Sequence, residues 1–275
     1  MTEIRPFRFG VTGAPRSDAS EWRSLAVRAA ELGYSTLLMP DVPQLLAPFP
    51  ALATAAASAD IGVGTYVLAA PLRPPGSAAW DAHSLSVLTD GRFEMGIGTG
   101  RPDVEQWTTQ LGLPFGSPAE RLAQVAATID RLRELDGDAV RTPVLMAVGG
   151  PRARALAAEK ADIVTIAAGA LTARDEVAAQ LADLRARAGE RTEQLEVLMN
   201  LFVVGEDVPP HARRYIGADA ATLIAHDSLV ILRGSTRQML DELQRRRERF
   251  GASYVTVNAE YVEQLAPVVS ALSGH

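Results

Sequence analysis

The residues best placed to do chemistry lie in the run VLMAVGGPRARAL, from Val144 to Leu156. An apolar stretch leads into Gly149 and Gly150, and Pro151 stands where a helix would begin. Free peptide N–H groups and the positive end of a helix dipole converge there, a donor set that favours an anion, typically a phosphate. Arg152 and Arg154 add positive charge. The same residues also describe an ordinary strand-to-helix turn with a capping glycine. A second feature is FEMGIGTG, Phe93–Gly100, in which Gly96, Gly98 and Gly100 leave one strand face as bare backbone. Glycine weakens a strand, so something flat or bulky lies against that face, either a ligand or a closely packed helix. Asp41 closes an apolar run and either bonds a ligand or caps the next helix.

Several chemistries are excluded. There are no cysteines, which removes thiolate nucleophiles, disulfides and Cys-type zinc sites. Arg101 occupies the third glycine position of a G-x-G-x-x-G pattern, and no P-loop or G-x-S-x-G elbow occurs. The four histidines, His83, His211, His226 and His275, make no H-x-x-x-H pair, so no metal site is expected. His83 falls within a helix, His275 is the last residue, and His211 and His226 fall in a loosely patterned region where a substrate contact is conceivable. A phosphate cradle and bare backbone with few acids or bases suit an enzyme whose organic cofactor does the chemistry.

The elements that must position these residues alternate. Apolar strands are expected at 7–11, 36–39, 61–68, 93–100, 143–148, 162–166, 195–204 and 253–257. Helices are expected between them, at about 22–32, 51–59, 77–88, 104–111, 118–135, 152–160, 172–188, 218–225, 236–250 and 262–272. Gly33 and Gly251 stand where C′ glycines end helices, and Asp90-Gly91 makes a turn. Buried strands alternating with helices mean a parallel sheet covered on both faces. Eight such units in 275 residues predict an α/β fold, a (β/α)8 TIM barrel forming one domain over 1–275, with an insertion at 205–234. A doubly wound open sheet is the alternative. A barrel places its site at the C-terminal strand ends, near Val11–Gly13, Asp41, Tyr66–Leu68, Thr99–Arg101, Val148–Gly150, Ala167–Gly169, Val204–Gly205 and Asn258. Gln44, Tyr66, Arg16, His226 and Asn258 are candidate pocket residues.

Composition sets the class of partner. With 47% hydrophobic and 22% charged residues the chain is globular, and a net charge of −6 argues against nucleic acid. The arginines from Arg245 to Arg249 alternate with acids on a helix and read as a solvated face. The N-terminal run MTEIRPFRFG lacks an apolar signal segment, and no run is long enough to span a bilayer, so a cytoplasmic protein without a membrane partner is expected.

At the level of motifs, GVGTYVLAAPLRPP followed by LTDGRFEMGIGTG resembles the core signature of the bacterial luciferase-like flavin and deazaflavin oxidoreductases. There a G-T-x-V-L strand, an arginine-proline loop and a helix precede an S-x-G-R-x-x-L-G-I-G-x-G strand. AAELGYSTLLMPD and PVLMAVGGPRARALAAEKADIV are similar to two further motifs of that family, and the segment from Leu229 to Val257 to a third. The resemblance covers most of residues 7–204. It implies a luciferase-like TIM barrel that binds coenzyme F-420 or FMN at the C-terminal face. It also implies a non-proline cis peptide within Thr65–Val67 against the isoalloxazine ring. Gly149 and Gly150 would contact phosphate, and Thr99 and Gly100 would lie beside the cofactor. Asp41, Tyr66, Val148 and Arg152 complete the implied cofactor set, and Asp41 and His226 are candidate catalytic groups. Many members carry a histidine after the aspartate that matches Asp41, where this chain has Val42. The insertion before the fifth strand is reduced to DGDAVRT, so this is a compact chain of the kind seen in F-420-dependent subfamilies. The implied reaction is hydride transfer between the deazaflavin and a small organic substrate. An FMN-dependent monooxygenase using reduced flavin and oxygen is the alternative, and a non-catalytic flavin-binding protein a third. Family members are often dimers, so a homodimer is expected, with Trp80 near its interface.

Overall fold

The structure is a computed structural model and describes residues 5–15 and 18–275. The eight barrel strands are β1 (Arg8–Thr12), β2 (Thr36–Met39), β3 (Gly62–Thr65), β4 (Phe93–Gly98), β5 (Val144–Val148), β6 (Ile163–Ile166), β7 (Glu196–Leu201) and β8 (Ala252–Asn258). Each pairs in parallel with the next, β8 returns to β1 in the register Thr12↔Asn258, and β3 pairs with β4 through Val63↔Phe93. The sheet is therefore a closed barrel and not an open doubly wound sheet.

Helices α1 (Ala19–Glu31), α2 (Pro48–Ser58), α3 (Pro75–Leu88), α4 (Pro118–Asp136), α5 (Pro151–Lys160), α6 (Arg174–Ala188), α7 (Thr236–Phe250) and α8 (Val262–Leu272) surround it. Their ends follow local chemistry. Ser117 with Glu120 and Ser235 with Gln238 form capping boxes that start α4 and α7, and Gly251 at φ 69° ends α7. No helix among the described residues is long and apolar enough to cross a membrane.

Strand side chains sort into two sets by alternation. Phe9, Met39, Val63, Met95, Val164 and Val257 face outward into the main core beneath the helices. The opposite set fills the barrel: Arg8, Gly10 and Thr12 on β1, Glu94, Gly96 and Gly98 on β4, Glu196, Leu198 and Asn200 on β7, and Tyr254, Thr256 and Asn258 on β8. At the N-terminal end, Arg8 bonds both Glu196 oxygens from Nε at 3.0 Å, pairs with Glu94, and lies 3.5 Å over the Tyr254 ring. Above this, Leu38, Leu145, Ile163, Leu198 and Tyr254 form an inner apolar layer.

Of the glycines on β4, Gly96 has a different cause from the one expected. A β-carbon on Gly96 would stand 1.9 Å from the Thr65 carbonyl oxygen, so backbone of the neighbouring strand, not a helix, requires the glycine. Thr65 Oγ1 reinforces the approach with a 2.7 Å hydrogen bond to the Gly96 carbonyl.

The expected strand at 61–68 is broken by a cis Tyr66–Val67 peptide, beyond which Leu68–Ala69 pairs with β4. The strand expected at 195–204 breaks at Phe202, and Val203–Val204 pairs instead with Ile231–Leu232. Between those two pairs runs an excursion with helices Pro210–Ile216 and Ala220–Ala225, bracketed by Gly205 (φ 101°) and Gly234 (φ 96°). The first of these helices has no apolar period long enough to read from sequence. Arg246 of α7 donates to the Leu229 and Ile231 carbonyls at 2.7 and 2.9 Å and holds the returning limb.

Candidate active site

A cavity of about 820 Å³ opens at the C-terminal ends of the strands. That volume falls within the roughly 300–1,000 Å³ of small-molecule sites. Its floor is the last inward residue of successive strands: Thr12, Gly98, Ala147, Thr165, Asn200 and Asn258. Thr12 Oγ1 is buried and has no hydrogen-bond partner among the described residues. Asn200 Oδ1 accepts from Thr256 Oγ1 at 2.8 Å, and Asn258 Nδ2 donates to the Tyr215 hydroxyl at 2.9 Å.

One wall is bare. Val67, Gly98, Thr99 and Gly100 present backbone and one branched side chain to the cavity, and Gly100 adopts φ 75°. The mouth is apolar, with Val42, Leu45, Trp107, Phe202 and Leu229. Tyr66 lines the cavity from the bend after β3. Burial pushes its hydroxyl up to about 12, opposed by the Thr165 side chain.

Asp41 lines the cavity, but its carboxylate is already engaged. Oδ2 accepts from the Ala69 N–H at 3.0 Å, and the Arg73 guanidinium binds both oxygens, one at 2.9 Å. Such bidentate pairs are the strong ones. Asp41 therefore ties the end of β2 to the segment 66–73, with three donors on its two oxygens. Asp41 is not a helix cap, since α2 begins at Pro48 with Ala47 before it.

The other expected residues divide. Tyr66, Val67, Thr99, Gly100, Gln44 and Asn258 line the cavity. Thr65 does not, because its hydroxyl bonds the Gly96 carbonyl. Val148 faces the outer core, as strand alternation requires once Ala147 faces in. Gly149 and Gly150 stand just past the rim, a β-carbon on Gly149 falling 3.8 Å from the Ala167 carbonyl oxygen of the cavity wall. Their N–H groups have no backbone acceptor among the described residues, and space beside Gly150 is open. Arg154 turns back to the Gly149 carbonyl and to Asp183 at 2.6 Å, whereas Arg152 is exposed beside the glycines. His226 is a further correction. It caps the short helix Ala220–Ala225, where its Nδ1 lies 3.0 Å from the Thr222 carbonyl, and it is exposed outside the cavity. His83 contacts buried Asp136 at 2.9 Å on the outer face. Arg16 and the His211 side chain lie outside the described residues.

Sequence reading missed Ala147, Thr165, Asn200, Trp107 and Tyr215, whereas Thr12 falls within the expected strand end Val11–Gly13. Inward parity would have found the first three, had the strand register been known. Among the described residues no group of His, Asp or Glu could hold a metal ion.

The model of the family described as luciferase-like monooxygenase matches residues 4–268. No curated protein sequence matches. Among solved structures, the coenzyme F420-dependent tetrahydromethanopterin reductase of Methanopyrus kandleri is 15% identical, with a TM-score of 0.75 over 98% of this chain and 100% of that one. An F420-dependent secondary alcohol dehydrogenase in complex with an F420-acetone adduct is 14% identical, with a TM-score of 0.77 over 98% and 99%. The oxygenating constituent of 3,6-diketocamphane monooxygenase from Pseudomonas putida, in complex with FMN, is 15% identical, with a TM-score of 0.66 over 96% and 95%.

Proposed function

Because this chain belongs to the luciferase-like monooxygenase family, we propose that it is an oxidoreductase that binds the deazaflavin coenzyme F-420 and passes a hydride between it and a small organic substrate. The observation that carries the reading is the cavity wall. Val67, Gly98 and Gly100 form a wall poor in side chains, and the N–H groups of Gly149 and Gly150, with no backbone acceptor among the described residues, stand just past its rim. A planar ring suits the first and an anionic tail the second. F420-dependent neighbours match over 100% and 99% of their own length and an FMN-bound one over 95%, so the neighbours support a flavin-type cofactor of either kind.

The residues fit such a group. The unpartnered Thr12 hydroxyl would offer the group a polar atom, and a β-carbon at Gly98 would crowd Val67 at 3.1 Å. Arg152 and the Gly149–Gly150 N–H groups would hold a phosphate. When bound, a deazaflavin supplies a two-electron hydride and activates oxygen poorly. The chain orients the partners: Asp41 and Arg73 fix the segment carrying Tyr66 and Val67, and the apolar mouth keeps water out.

The testing experiment is a fluorescence titration of the protein with F-420 and, separately, FMN. Tighter F-420 binding is the expected result. FMN binding alone would move the assignment to a flavin monooxygenase, and no binding of either would end it. We also propose a homodimer, with Trp80 and Leu88, 68% and 78% exposed on α3, at its interface. Sedimentation of the wild type and Trp80→Glu checks this, the variant being monomeric.

A further inference from the structure

The charged groups of the cavity cancel within it. Its charged lining residues are Asp41, Arg101 and Asp103. Asp41 is bound by Arg73, and Arg101 binds Asp103 through Nε at 3.1 Å and Nη2 at 2.6 Å. Among the described residues no cation is left to receive a substrate carboxylate or phosphate, and no carboxylate to receive an amine. A charged substrate would lose its hydration there without compensation. What the cavity offers a substrate is an apolar mouth and neutral hydrogen-bonding groups.

One of those groups is an acid in a suitable place. The position after Asp41 is Val42, which lines the cavity and carries no proton. Among the described residues the lining contains no histidine or lysine, and its carboxylates are paired. Two phenols remain. Tyr66 is set into the barrel against Thr165, away from bulk water. Tyr215 is 52% exposed at the mouth, its ring packed edge-on against Phe202 at 5.9 Å. Its hydroxyl oxygen accepts from Asn258 Nδ2, so its own proton is directed elsewhere. Asn258 is the strand-end residue in register with Thr12, whose hydroxyl is the unpartnered one. Burial and Glu260 raise the Tyr215 phenol above its ordinary value. A phenol is still a far stronger acid than the alcohol an alkoxide becomes, so the transfer runs toward the alkoxide.

Resting on the deazaflavin reading above, we infer that the substrate is an uncharged ketone or aldehyde, or the matching alcohol, and that Tyr215, oriented by Asn258, exchanges the proton with its oxygen. In the reducing direction the carbonyl carbon accepts the hydride that the reduced deazaflavin supplies, and the C=O π pair moves to oxygen. That oxygen takes the Tyr215 proton as the phenolic O–H breaks. Tyr215 regains a proton from water at the mouth, which its exposure allows. The ketone is reduced and the deazaflavin oxidised by two electrons.

The test uses full-length protein and reduced F-420 with a panel of uncharged ketones and keto acids of the same carbon skeletons. The wild type and Tyr215→Phe are first titrated with F-420, and both are expected to bind it equally. The expected result is turnover of ketones and not of keto acids. Tyr215→Phe should lower kcat about 100-fold, the lower end of general acid contributions, with KM little changed. It should also remove an alkaline loss of activity that the wild type shows as the phenol ionises. Preference for keto acids, bound F-420 with no ketone reduced, or a Tyr215→Phe enzyme within twofold of wild type with the same alkaline limb would each overturn the inference while leaving the cofactor reading in place. Failure of the wild type to bind F-420 would overturn both.

Discussion

The two ends of the barrel are built from the same strands in the same inward register, yet they hold opposite contents. On β1 the inward residues run Arg8, Gly10, Thr12. On β4 they run Glu94, Gly96, Gly98, and on β7 Glu196, Leu198, Asn200. The N-terminal end is filled by large charged groups that satisfy one another, with Arg8 between two glutamates and over a tyrosine ring. The C-terminal end has small or neutral residues at the same strand faces and is hollow. Four residues along a strand separate a plug from a binding cavity. Conserving parity while changing side-chain size and charge is how one barrel is rigid at one end and receptive at the other.

Gly96→Ala and Gly98→Ala, two residues apart on β4, break the comparison most sharply. The first puts a β-carbon 1.9 Å from a carbonyl oxygen and should cost roughly 5 kcal/mol, enough to abolish soluble expression. The second meets only a Val67 methyl at 3.1 Å and should cost about 1 kcal/mol in urea unfolding, while weakening cofactor binding. Equal losses of stability would erase the distinction between the two ends. On β7, Glu196→Ala strips Arg8 of a partner and should cost about 3–5 kcal/mol. Asn200→Ala on the same strand face should cost no more than about 1 kcal/mol, and the comparison is read from paired denaturation curves. Asp41→Asn should cost about 2 kcal/mol by weakening a charge-assisted clamp. Most of that should show as looser cofactor binding in the titration, since the clamp fixes the cavity wall and not the core.

The smallest effect is in pH. Burial raises Glu94 at the plugged end despite Arg8, so its stabilising contribution is present at low pH and lost as pH rises through its raised value. Glu242 on α7, beside the mouth, behaves oppositely. Burial alone would raise it, but Arg246 and Arg174 hold it near 2. Its contribution is present above the ordinary carboxylate range near 4.5 and fades as pH falls toward 2. Urea midpoints measured across pH for Glu242→Gln should show a flattened acid limb, and Glu94→Gln should remove a loss of stability toward neutral pH.

The eight strands were legible as apolar runs, and most sharply where glycine, proline or a charge closes them, as Pro40 and Asp41 do after β2 and Gly149 after β5; no such residue marks the ends of β3 and β7, where the expected strands ran on. The ends of α7 were legible because a capping box and Gly251 mark them. The cavity floor was not. A parallel barrel strand is apolar on both faces, so Thr165 and Asn200 look like ordinary strand residues until register assigns them inward. The Asp41–Arg73 clamp joins residues 32 apart through a bend that no local pattern announces. His226 drew attention through its residue type, yet it sits at the end of a six-residue helix with its ring turned to that helix's own carbonyl.

The excursion after β7 has a further meaning. Its two feet, Val203–Val204 and Ile231–Leu232, are stitched to each other by their own short sheet, with a left-handed glycine just past each. What lies between can lengthen, shorten or be rewritten without disturbing the pairing of β7 with β8. It is a cassette with a fixed socket. It carries Tyr215 and Leu229 to the cavity mouth, so diversity among related chains can accumulate there while the barrel stays the same. Exchange of residues 206–230 between such chains is then a direct way to move substrate preference from one to another.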